Sequence, residues 1–177
     1  MPNNFTSAVR ELAYEDLPMV LTWRNHESVR RFMYTQHTIS AEEHYNWFEK
    51  IHLEKTHNLI IVEDGEYQIG FVHFSRTQDF HIADWGFYAN PFLGKGVGRI
   101  LGVSALNFAF GPLGLHKVCG QAILSNDASC RFHKRLGFLQ EGVLRDQKLI
   151  SGVFHSLACF GLLKSEWKFS ELNESIT

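Results

Sequence analysis

The spacing of apolar positions changes several times along this chain, and each change marks an element. SAVRELAYEDL starts with alternation, which suits a short strand, and then takes a helical spacing with Asp16 as a plausible cap and Pro18 in the first turn. That spacing predicts a helix to about Asn25, then a short helix and a loop in ESVRRFMYTQHTIS. Ser40 followed by Glu43 reads as a capping box, with AEEHYNWFEKIHLE as the helix behind it. Tyr45, Trp47, Phe48, Ile51 and His52 mark its expected buried side. HNLIIVEDGEYQIGFVHFS reads as two strands joined at Asp64-Gly65, a hairpin signal, and FHIADWGFYA is a third strand. GRILGVSALNFAFGPLG carries a helix, HKVCGQAIL a strand, and NDASCRFHKRLGF a helix closed by Gly137. LQEGVLRDQKLI and GVFHSLACFGLL form a last pair of strands around Ser151-Gly152. This order predicts an α/β fold with a mixed sheet and a βαβ unit at its centre.

Bulk properties narrow the field. The 177 residues suit a single domain, with no repeat or linker. A net charge of −2 gives no electrostatic footprint for a nucleic acid. The ten histidines are scattered, without metal-ligand spacing, so no metal is expected. Three cysteines, Cys119, Cys130 and Cys159, argue against a disulfide framework, and Cys119 and Cys130 are read as buried hydrophobes. The N-terminus shows no signal-peptide pattern, and the longest apolar stretch, Val153 to Leu163, is broken by His155, Ser156 and Gly161. The expectation is a soluble, cytoplasmic protein with no membrane partner. A homodimer stays open.

The chemistry concentrates in NPFLGKGVGRILG, Asn90 to Gly102. A glycine-rich turn from a strand into a helix leaves backbone N–H groups unpaired at the positive end of the helix dipole. That is an anion site suited to phosphate, with Lys95 and Arg99 adding charge. The spacing is neither a Walker P-loop nor a dinucleotide fingerprint. A tight turn that needs glycine for geometry alone stands beside this reading.

A second motif, SNDASCRFHKRLGF, follows one helix and one strand later. The combination of G-K-G-x-G, helix, strand, N-x-A-S, helix and L-G-F, from about Ile61 to Phe138, resembles the GNAT family of acetyl-CoA-dependent N-acetyltransferases. The resemblance implies a mainly antiparallel, twisted GNAT sheet flanked by helices. It also implies one domain over residues 1–177, with an acceptor part at about 10–55 and a cofactor part at about 80–138. Leu93 to Gly98 matches the family loop, except that Leu93 stands where Gln or Arg is usual. By this resemblance, Leu93, Gly94, Lys95, Gly96, Val97, Gly98 and Arg99 hold the pyrophosphate of acetyl-CoA. Gly86, Phe87 and Tyr88 pair with the pantetheine arm beside a splay in the sheet, and Asn126 touches the cofactor from the other side.

The acceptor side, Thr22 to Phe48, resembles family members that acetylate the 4-amino group of UDP-4-amino-4,6-dideoxy-N-acetyl-β-L-altrosamine. Those enzymes serve pseudaminic acid biosynthesis and flagellin glycosylation. Arg24-Asn25-His26, Met33-Tyr34, Ile39-Ser40 and His44 carry the likeness. Arg24 would pair with phosphate, Met33 and Trp47 would wall the sugar, and His44 would bond a sugar or nucleotide oxygen. Tyr34 and Gln121 complete the expected acceptor set. Met33 and Trp47 as core, and Arg24 as a helix-end cation, are the structural alternatives.

Where the family places a tyrosine that protonates the leaving thiolate, this chain has His133, so His133 is the expected acid. Asp84, His73 and His44 are candidates for a base acting through water. The transfer is expected to be direct, without an acetyl-enzyme. Rival readings are acetylation of a ribosomal N-terminus or a polyamine, and a non-catalytic CoA-binding module.

Overall fold

A computed structural model describes residues 7–168. The elements are β1 (Ser7–Glu11), α1 (Leu17–Asn25), α2 (Glu27–Arg30), α3 (Ala41–Ile51), β2 (His57–Asp64), β3 (Tyr67–Arg76), β4 (Ile82–Ala89), α4 (Val97–Phe110), β5 (Lys117–Ile123), α5 (Asp127–Arg135), β6 (Leu139–Ile150) and β7 (Val153–Leu163). The strands form one sheet in the order β1-β2-β3-β4-β5-β7-β6. Every neighbouring pair is antiparallel except β4 with β5, whose parallel run is joined through α4. This is the mixed sheet with a central βαβ unit that the sequence predicts.

At its centre, in β2 and β3, the sheet is buried on both faces. The run Leu59-Ile60-Ile61-Val62 shows why, because a strand covered on each side needs no polar alternation. Ile60 and Val62 join Val72, Phe74, Trp85, Leu101 and Leu106 under α4 and α5. Leu59 and Ile61 join Leu17, Val20, Trp23, Phe48, Ile51 and Phe71 under α1 and α3. Among the described residues no helix is long and apolar enough to cross a membrane.

Several local expectations shift. Asp16 lies in αR geometry and makes no side-chain cap. Its carboxylate instead takes Arg10 Nη1 at 2.6 Å and Nη2 at 2.9 Å, with the Ala13 N–H at 2.8 Å. Ser40 does cap α3, accepting from Glu43 N at 3.1 Å, but the Glu43 carboxylate turns to His37 instead of closing the box. On α3 the buried residues are His44, Phe48 and Ile51; Tyr45 and Trp47 are half-buried and His52 is exposed. The β2–β3 loop is Gly65-Glu66, one residue later than expected, with Gly65 at φ +61°. Phe169, in the C-terminal tail, lies outside the described residues.

Candidate active site

β4 and β5 pair only at Ile82–Lys117, Ala83–Val118 and Asp84–Cys119. Beyond these the strands part, leaving the β5-facing edge of Gly86, Phe87 and Tyr88 unpaired. The next residues are Trp85 and Gly120, and the ring of His133 sits against both. Trp85 Nε1–H donates to His133 Nε2 at 3.1 Å, and a Cβ on Gly120 would lie 2.5 Å from that same nitrogen. A glycine is therefore required where the ring enters the fork. The opening is a cleft of about 850 Å³ that takes in Gly86, Phe87 and Tyr88 of β4, Gln121 of β5, and Asn126 at the start of α5. Asn126 also caps α5, its side-chain oxygen accepting from Ser129 N at 3.1 Å.

The cleft ends at Asn90 and Pro91, where the glycine-rich loop begins. Asn90 pins this loop to β3, its backbone N–H donating to Ile69 and its Nδ2 to Gln68. Gly96 precedes α4 with φ +102°, a conformation side chains other than glycine rarely adopt. The N–H groups of Gly94, Lys95, Gly96, Val97 and Gly98 find no acceptor among the described residues. They lie in the turn and first helical residues, where the α4 dipole favours an anion. Arg99 brings a buried Nη2 with no partner among the described residues, as a group awaiting an anion would. Lys95 is exposed, and Leu93 packs on the core beneath. An anion followed by a long arm fits this loop and this cleft.

On the opposite face the segment after α2 is held by α1. Asn25 and Ile39 bond each other twice, side-chain amide to backbone, at 2.8 Å each. Arg24 Nη2 donates to the Thr35 carbonyl at 2.8 Å. These bonds give Arg24-Asn25 and Ile39 a structural task that their spacing alone did not reveal. A second cavity, of about 320 Å³, lies here between Arg24, His44, Trp47 and Tyr88, and it shares Phe71 and Tyr88 with the main cleft. Arg24 Nη1 and His44 Nε2 are both buried there without a partner among the described residues. Burial, and then the Arg24 charge, hold His44 below its usual pKa, so it is neutral. Burial also lowers the Arg24 pKa and raises that of Tyr88.

The expected acceptor residues thus divide. Arg24 and His44 share the small cavity, with Trp47 stacked on His44 at 5.2 Å between ring centres. Met33, Tyr34 and Gln121 line the main cleft. His133, the expected acid, lines neither cavity. The ring is 1% exposed, its Nδ1–H donates to the Ser129 carbonyl at 2.8 Å, and its Nε2 accepts from Trp85. Both nitrogens are spent on protein partners, and burial lowers the pKa, so the one proton of the neutral ring is held by the Ser129 carbonyl. His133 is a wedge in the fork. Cys119 and Cys130 are half-buried rather than core, with thiol pKa values raised by burial. Sequence reasoning missed Ser129 and Phe132 on α5 and Arg31 after α2, all lining the cleft. Their helical spacing from Asn126 and Glu27 was the available signal.

Residues 8–139 match the acetyltransferase (GNAT) domain family. The chain is 29% identical over 135 residues to acetyltransferase PseH of Campylobacter jejuni strain 81-176, covering 76% of this chain and 82% of that protein. It is 30% identical to the SPbeta prophage-derived uncharacterized N-acetyltransferase YokL of Bacillus subtilis, over 74% of this chain and 75% of that one. Among solved structures, spermidine N-acetyltransferase from Vibrio cholerae, in complex with CoA and spermine, superposes with a TM-score of 0.82 at 23% identity, over 92% of this chain and 98% of that one. The forked sheet, the open glycine-rich loop and the domain match agree: this chain belongs to the GNAT family and is an acetyl-CoA-dependent N-acetyltransferase.

Proposed function

We propose that the enzyme transfers the acetyl group of acetyl-CoA to the 4-amino group of a UDP-linked amino-dideoxy sugar, UDP-4-amino-4,6-dideoxy-N-acetyl-β-L-altrosamine, in pseudaminic acid biosynthesis. The observation that carries this reading is the small cavity beside the cleft, where Arg24 Nη1 and His44 Nε2 wait without partners. A nucleotide sugar brings phosphate oxygens for Arg24 and a hydroxyl or imide N–H for the neutral His44. Met33 and Tyr34 then offer apolar contact for a 6-deoxy sugar in the main cleft. Two relatives named acetyltransferase PseH, at 29% and 27% identity, are in keeping with a place in that pathway.

In this reading Gly94 to Arg99 hold the pyrophosphate, the open edge of Gly86–Tyr88 pairs with the pantetheine arm, and Asn126 flanks it. Amine and thioester meet at the fork and react directly, so positioning does most of the work. A polyamine is the second reading, since a spermidine N-acetyltransferase shares the fold. The cavities show no acidic excess to hold a polycation: Arg24 and Arg31 stand against Asp84 and Glu43, and Glu43 is engaged by His37. The deciding experiment incubates the protein with acetyl-CoA and the UDP-4-amino sugar, spermidine or a ribosomal N-terminal peptide, and reads products by mass spectrometry. One acetyl group on the sugar alone supports the proposal; acetylspermidine alone would sink it.

A further inference from the structure

His73 lies on β3 directly opposite Gly86 and lines the cleft on its acceptor side. Its Nε2 is 2.7 Å from Nδ1 of His57, and His57 Nε2 is 3.1 Å from the Glu54 carboxylate. The Glu54 side chain is 46% exposed. A continuous polar line therefore runs from the cleft through the sheet edge to solvent. The three groups stand in file, and among the described residues no cluster of such groups could hold a metal ion.

The direction of the line follows from its outer end. A carboxylate only accepts, so His57 carries its proton on Nε2. In the tautomer with that one proton, His57 presents a lone pair at Nδ1, and His73 donates to it from Nε2. This leaves the lone pair of His73 on Nδ1. Among the described residues that atom has no partner, and it is not one of their buried unpartnered atoms, so solvent reaches it. A Cβ built on Gly86 meets nothing within 4 Å, so there is room above the ring for a substrate group.

We propose that His73 is the general base of acetyl transfer and that His57 and Glu54 relay the proton to solvent. The amine nitrogen bonds to the thioester carbon, and the carbonyl π pair moves onto oxygen. The nitrogen, now positive, yields a proton to His73 Nδ1. His73 passes its Nε2 proton to His57 Nδ1, and His57 passes its Nε2 proton to Glu54 and on to water. Collapse of the adduct re-forms the carbonyl and breaks the C–S bond; the thiolate leaves with that pair and takes a proton from water. The proposal rests on amine acetylation and not on which amine is used.

Burial, and then the neighbouring His57, push the His73 pKa down to about 4. The ring is thus unprotonated at physiological pH and keeps its lone pair. So weak a base does not strip a free ammonium, and the amine must arrive neutral; the adduct nitrogen is a stronger acid. The other groups near His73 are Trp47, which is neutral, and Asp84, Arg31, Tyr34 and Tyr88 along the cleft. Asp84 is the competing base, with its pKa raised by burial.

Two measurements test the relay. Nitrogen-15 imidazole spectra of the free protein should show His73 protonated on Nε2 at neutral pH; a proton on Nδ1 would overturn the proposal whatever the acceptor proves to be. Kinetics use acetyl-CoA with the UDP-4-amino sugar and, in parallel, spermidine, so that a wrong acceptor is seen as a change of amine and not as loss of the relay. Glu54→Gln should cost least and His57→Gln more. His73→Gln should lower kcat by about 10²-fold or more with unchanged KM for acetyl-CoA. Added imidazole should restore part of the rate to His73→Ala, which a structural role does not allow. Full kcat in His73→Gln and His57→Gln, with the loss moved to Asp84→Asn, would refute the relay.

Discussion

Replacing His133 by phenylalanine separates a wedge from an acid. The new ring keeps the fork filled but removes both nitrogens. Trp85 Nε1–H then loses its acceptor inside the core. An orphaned buried donor costs about 1–3 kcal/mol. The Ser129 carbonyl suffers less, because a helical carbonyl also takes the backbone N–H four residues on. Alanine orphans the same donor and also empties the space against Phe160, whose ring stacks at 4.7 Å, and against Phe87 and Phe138. Truncating a buried aromatic costs about 3–5 kcal/mol, a large part of a domain's total stability. Urea unfolding should therefore rank wild type above His133→Phe and that above His133→Ala, with the slope unchanged. Turnover by His133→Phe should stay near wild type at temperatures where it is folded, since neither nitrogen opens on the cleft. A phenylalanine variant with the wild-type urea midpoint and a kcat lowered about 10²-fold would refute this reasoning and return the acid role to His133.

Other substitutions follow from single contacts. Gly120→Ala sets a methyl group against His133 and Trp85 and should destabilise by about 1–3 kcal/mol, read as a lower urea midpoint. Gly96→Ala strains a φ of +102° at the head of α4 and should weaken acetyl-CoA binding in calorimetry while costing about 1 kcal/mol or more in stability. Arg24→Ala should raise the KM for the nucleotide sugar and leave acetyl-CoA affinity unchanged; equal loss of both would remove Arg24 from the acceptor site. Stability should fall on acidification. His44, His73 and His133 all have pKa values lowered by burial, so the unfolded chain gains protons near pH 6.5 that the folded chain refuses. Their contribution is complete above that pH and is lost as pH falls, for His73 down to about 4, at about 1.4 kcal/mol per pH unit for each histidine. A urea midpoint that stays flat over this window would contradict the burial of these rings.

The pattern of apolar residues made the element order legible because each strand and helix buries a face with its own period. The glycine-rich loop was legible for a related reason, since its glycines mark a turn that adds open N–H groups to those at the head of α4. The roles of individual polar residues were not. His133 occupies the tyrosine position of the family motif, and only the end of the β4–β5 pairing shows that its ring turns into the fork. Arg24 and Asn25 read as ligands, yet each spends one group holding the Thr35–Ile39 segment, a partnership set by tertiary contact. His57 and His73 stand 16 residues apart on neighbouring strands. Their meeting depends on register, and a slip of one residue would turn His73 to the other face of the sheet.

The one parallel pair explains why the site lies where it does. Antiparallel neighbours in this sheet are tied together by their ladders; β4 and β5 are joined only through α4, so their C-terminal ends are free to part after three pairs. Both strands then lead into helices: β4 into the loop before α4, and β5 through Asn126 into α5. Two positive helix ends therefore flank the same opening, which suits a ligand carrying phosphates and a long neutral arm. The segment after α2, which we propose binds the acceptor, reaches the opening from the other face, where α1 and α3 cover β2 and β3. An amine and a thioester entering from opposite faces can meet only at the fork. His133 and Gly120 keep it open on the cofactor side, and His73 faces it, across the bare backbone of Gly86, on the acceptor side. A residue that props the fork and a residue that takes the proton are thus set on different sides of β4. Loss of the first should appear as instability, and loss of the second as slow turnover in a stable protein.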